Sequence, residues 1–113
     1  MNFSGNEKLV LLPGTVDYPM RFSFAACTSA TANDGSLPYG ATISSAALLA
    51  LDKGGTDITP ALTDAATVSG GLYVDVPLSY PADAALGSCK VYVILTLSSG
   101  AVIPKLWEGL RIA

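Results

Sequence analysis

With 113 residues the chain is one domain by length, and it is long enough to bury a core without staples. Half of it is hydrophobic and 13% is charged, which excludes extended disorder, and no apolar run approaches the roughly 18 residues of a membrane span. The net charge is −3, the six Lys and Arg are scattered singly, and histidine is absent. That balance argues against nucleic-acid binding and removes the commonest general base and metal ligand.

Residues 1–6 (MNFSGN) read as a flexible arm ahead of a single domain over 7–113. The opening has no basic region followed by a long apolar one, so no Sec-type signal is visible, and the formal sequon Asn2-Phe3-Ser4 carries no weight without export. Lys8 to Leu12 predicts a first strand, closed by the Pro13-Gly14 turn. In Tyr18 to Phe24 the side chains of Met20, Phe22 and Phe24 share one side and Arg21 and Ser23 the other, the period of a half-buried strand. Residues 25–41 are small, polar and turn-forming, the longest loop of the chain.

Thr42 to Asp52 (TISSAALLALD) is rich in helix formers, yet Ile43, Ser45, Ala47, Leu49 and Leu51 alternate, and Asp52-Lys53-Gly54-Gly55 follows as a hairpin-type turn. The neighbouring strands need a partner, so the segment is read as a strand. A helical turn is expected around Pro60–Asp64 and a short strand over Ala65–Ser69, turned by Gly70-Gly71. Leu72, Val74, Val76 and Leu78 then point inward, and Pro77, opposite them, marks a sheet edge or strand end. Cys89, Val91, Val93, Leu95 and Leu97 form one face of the next strand, with Lys90, Tyr92, Ile94 and Thr96 on the other. Ser98-Ser99-Gly100 leads into a last strand with Pro104 and Gly109 as bulge points. About seven short strands with turns every 8–12 residues predict an all-β, immunoglobulin-like two-sheet sandwich.

The two cysteines, Cys27 and Cys89, have a separation that an intersheet disulfide would allow. The register argues otherwise. Counting from the corner at Gly87, Cys89 falls where such domains place a tyrosine, and Val91 falls at the bridge position. Cys89 is therefore read as a small buried apolar residue and Cys27 as a thiol at a loop or strand end.

No chemical site emerges. The aspartates are spread over turns, and Asp52 and Asp57, which flank one turn, are read as local caps rather than calcium ligands. Serine nucleophiles lack a histidine base, and the glycine pairs lack the helix and lysine of a phosphate cradle. The expectation is a non-enzyme without cofactor or metal.

Gly40-Ala41-Thr42-Ile43-Ser44-Ser45-Ala46 resembles the opening of small immunoglobulin-like virion proteins of tailed phages and prophages. Gly55 to Thr59, Val74 to Leu78, Ala85 to Val91 and the hairpin Thr96 to Gly100 agree with it, so the likeness spans roughly residues 7–113. The chain is similar to the fibre–tail adaptor or neck proteins, with Leu37-Pro38-Tyr39 where those adaptors often carry a tryptophan-leucine pair. The resemblance implies a structural protein in the virion, in several copies, contacting tail, neck or fibre subunits, with no nucleic-acid or membrane partner. A capsid decoration protein and a cell-surface adhesion module, with Tyr39 and Tyr80 as its loop aromatics, are the alternatives.

Interface candidates are Tyr92 and Ile94 on the supposed outward face, Ile103 and Trp107 in neighbouring rows, and Leu37 and Tyr39 in the long loop. The outward cluster is open to a partner or to cover by a loop or the arm.

Overall fold

The computed structural model describes residues 8–63 and 65–113; the arm at 1–6 with its sequon lies outside the described residues. The chain is mostly β. In order it forms β1 (Leu9–Leu11), β2 (Tyr18–Ser23), β3 (Ile43–Leu51), the single turn α1 (Thr59–Leu62), β4 (Thr67–Ser69), β5 (Tyr73–Leu78), β6 (Gly87–Ser88), β7 (Lys90–Leu97), β8 (Val102–Trp107) and β9 (Leu110–Ile112). These make three small sheets, β2-β5-β4, β3-β7-β8 and β1-β9-β6. The segment 42–52 is thus a strand, because β7 offers it a full antiparallel ladder from Ser45↔Thr96 to Leu51↔Lys90 and tertiary pairing overrides alanine's helical preference.

Two irregularities set which side chains go inside. In β3 the register shifts between Ile43 and Ser45, a bulge that reverses the alternation. Ile43 is buried, but after the bulge the inward residues are Ala46, Leu48 and Ala50. Ser45, Ala47, Leu49 and Leu51 do not share Ile43's side. The second irregularity lies between β8 and β9. Val91 pairs with Trp107, yet Ser88 pairs with Arg111, so the last strand carries one extra residue at Glu108-Gly109. The Cys89 N–H donates to the Leu110 carbonyl at 2.8 Å across this break. Gly109 is a bulge point as expected; Pro104 is not, since it pairs with Ile94 in an unshifted register.

Pro19 and Pro77 sit where their missing donors cost nothing. Pro19 faces Pro77 in the β2–β5 ladder. The Phe24 N–H bonds the Leu72 carbonyl at 2.9 Å. By alternation, Pro19 and Pro77 therefore form a pair that exchanges no hydrogen bonds. β5 is the central strand of its sheet, so Pro77 marks no edge strand; β4 pairs only as far as Asp75, and its partnering has ended by Pro77.

The inward rows of all three sheets meet in one apolar cluster. Phe22 of β2 and Trp107 of β8 touch edge to face within it, ring centroids 5.2 Å apart, a contact worth about 0.5–1.5 kcal/mol beyond the buried area. Val91, Val93, Leu95 and Leu97 are all buried on the β7 side, and Val74, Val76 and Leu78 on the β5 side. Both cysteines are free thiols, Cys89 buried and Cys27 partly so. Burial, with a smaller push from the charge of Asp52, raises the Cys89 thiol above its ordinary range.

Candidate interface on the outer sheet face

The outward rows of β3, β7 and β8 are read from the registers. Leu49, Tyr92 and Leu106 lie side by side, then Ala47, Ile94 and Pro104, then Ser45, Thr96 and Val102. None of the nine is charged. Leu106 is 40% exposed and Val102 60%, while Leu49, Tyr92 and Ile94 are half-buried against one another. On a three-stranded antiparallel sheet with one face in the core, the other face ordinarily alternates to polar. This one is apolar.

The outer face of β2-β5-β4 shows the ordinary pattern. Arg21 donates to both carboxylate oxygens of Asp75 at 2.7 and 2.9 Å, and its guanidinium lies 4.9 Å from the Tyr73 ring centre. The hydrogen-bonded Arg21 holds the Asp75 carboxyl below its ordinary value. Ser23, Thr67 and Ser69 complete that polar surface. A groove of about 470 Å³ opens beside Arg21 and Asp75, lined also by Met20, Thr67 and Val76.

Of the residues named from sequence, Tyr92 and Ile94 occupy the middle of the apolar face. Ile103 and Trp107 do not belong to it. Ile103 pairs with Leu95 and Trp107 with Val91, on the core side, and Trp107 is completely buried. The turn decides this: the Leu97 N–H bonds the Ala101 carbonyl at 2.8 Å, closing a three-residue loop with Gly100 at φ +92. Residues 97 and 101 then face each other, so odd-numbered residues of β8 join odd-numbered residues of β7. Val102, Pro104 and Leu106 therefore point out, and the hairpin length was the signal that could have found them.

Leu37 is also a core residue, 2% exposed. Its N–H and carbonyl bond Ala25 and Cys27 at 3.0 and 2.9 Å, which folds the long loop back on itself and drives the side chain inward. Tyr39, two residues on, is 60% exposed. It borders a cleft of about 210 Å³ with Leu97, Ser99 and Ala101, next to the Val102 end of the apolar face. Tyr80 packs against the core rather than standing free as a loop aromatic.

The turn aspartates act locally. Asp52 Oδ1 accepts the N–H groups of Gly54 and Thr56 at 2.8 and 3.0 Å, and Asp57 Oδ1 accepts the Thr59 N–H at 2.9 Å.

The chain matches no protein-family model, no curated protein and no solved structure. The functional reading therefore rests on the face itself.

Proposed function

We propose that the protein is a non-enzymatic structural subunit of a phage or prophage virion, an immunoglobulin-like adaptor between tail or neck and fibre. The observation that carries this reading is the uncharged outer face of β3-β7-β8, set against the ion-paired outer face of β2-β5-β4. A face of that kind is covered in its working state, because exposed contiguous apolar surface on a monomer marks a contact site.

The strand order supports the finer fold assignment. β2, β5 and β4 take the B-E-D order of an immunoglobulin sandwich, and β3, β7 and β8 the C-F-G order. The β8 edge favours docking by a face over addition of a strand. Ala101 bonds toward β7, so the outward-facing edge positions of β8 fall on even residues, and one of them is Pro104, which has no N–H to offer.

Mass spectrometry of purified virions tests the reading: the chain is expected at fixed stoichiometry, and its absence from particles would overturn it. Few copies per particle mark an adaptor, whereas a count approaching that of the capsid subunit marks the decoration protein instead. Within particles, Tyr92→Asp with Ile94→Asp is expected to abolish incorporation while leaving the purified chain folded.

A further inference from the structure

The apolar face continues into a basic end. Ser88, Lys90 and Tyr92 share the outward side along β6 and β7, with buried Cys89 and Val91 between them. Arg111 pairs with Ser88 and is likewise exposed. Beside them runs Lys53, whose stem rests on Gly87: a Cβ there would stand 3.1 Å from the Lys53 Cδ, and the φ of +125 is one that side-chain-bearing residues rarely adopt. Lys53, Leu86, Ser88 and Arg111 line a cleft of about 310 Å³, and Leu86 is 61% exposed at its rim.

Neither cation has a carboxylate within ion-pairing distance among the described residues, where the pair found is Arg21–Asp75 on the other sheet. Asp52, next to Lys53 in sequence, is 8% exposed and engaged by backbone N–H groups. Glu108 stands at the bulge opposite Lys90 without pairing to it. Lys53, Lys90 and Arg111 outnumber the carboxylates of Asp52 and Glu108 at this end, so in a chain of net charge −3 it holds a local excess of cations beside an exposed leucine.

We propose that this cleft docks a carboxylate-bearing segment, with an adjoining apolar side chain, of the protein partner that covers the β3-β7-β8 face. The proposal rests on that face being a protein interface and adds the partner's chemistry: apolar against the three rows, acidic at the Lys53–Arg111 end. The glycine bed orients Lys53 and the ladder orients Arg111, so the acidic segment sets the register of docking and speeds encounter.

The isotope-labelled full chain, titrated with a peptide of alternating leucine and glutamate, tests this. Its glutamine counterpart and inorganic phosphate form separate arms. The expected result is amide shifts at Lys53, Leu86 to Ser88 and Arg111 with the glutamate peptide alone, weakened by added salt. In Lys53→Glu/Arg111→Glu the affinity is expected to fall by about tenfold or more, with Lys53→Gln/Arg111→Gln as the milder variant should reversal disturb folding. Equal shifts with the glutamine peptide or with phosphate, shifts scattered over Lys8, Arg21 and Lys105, or no response would each overturn the proposal. A silent titration with the chain present in virions ends only this inference; a cleft that binds while the chain is missing from virions ends only the assembly reading.

Discussion

A Cβ at Gly35 would stand 2.5 Å from the Cys27 nitrogen and 2.7 Å from the Ala25 carbonyl oxygen. Both neighbours are backbone, held by the bonds that tie Leu37 to Ala25 and Cys27, so neither yields cheaply. Gly35→Ala is expected to cost about 1–3 kcal/mol by overpacking, read as a lower denaturant midpoint with faster amide exchange at Leu37. Asp52 carries a pH dependence of definite sign. The Thr56 N–H above all, with those of Ala85 and Gly54, holds its carboxyl below the ordinary 3.8, against an opposing push from burial. A depressed folded-state value means the unfolded chain binds the proton more readily. The stabilisation is therefore complete above the ordinary value and is lost as pH falls below 3.8 toward the folded-state value. Asp52→Asn should lower the Tm at neutral pH and flatten its decline on the acid side; a parallel decline in both proteins would count against the cap.

Along β7 the two faces differ by one residue in position and by everything in energetics. Leu95 is completely buried, while Ile94 lies on the outer face, half-buried between Ala47 and Pro104. Leu95→Ala is expected to cost about 2–5 kcal/mol, and Ile94→Ser less than about 1 kcal/mol, measured by urea unfolding. Similar costs for the two would mean that the outer face is packed within the monomer. Much of this was legible before folding: the alternation of 89–97 and 72–78, the turns at Pro13-Gly14 and Gly70-Gly71, and the bulge at Gly109. The outward membership of β3 and β8 was misread because face is a relation between strands. A bulge at Ser44 moved Leu49 and Leu51 off the side of Ile43, and a three-residue turn carried Ile103 and Trp107 inside.

At the scale of the molecule, the described chain measures 44 × 21 × 21 Å, with its inward rows meeting in a single core that no disulfide crosses. Phe22 and Trp107 join its two larger sheets edge to face. Reductant should leave the Tm unchanged, as scanned by near-ultraviolet circular dichroism; a shift would reveal a bridge between Cys27 and Cys89. The amino-acid order by itself determined that the protein is β-rich, that Cys89 packs as an apolar side chain, and that Tyr92 and Ile94 stand opposite the buried row of β7. Those properties follow from the period-2 geometry of one strand and need no partner to be read. Only the tertiary structure decided that Trp107 and Leu37 are core, that Leu49, Pro104 and Leu106 complete an apolar face, and that Lys53 lies over Gly87 beside Arg111. Leu49 and Lys53 depend on segments far apart in sequence, Leu37 on the bonds that close its loop, and Trp107, Pro104 and Leu106 on the length of one hairpin turn; within a sheet, a shift of one residue sends a side chain to the other side.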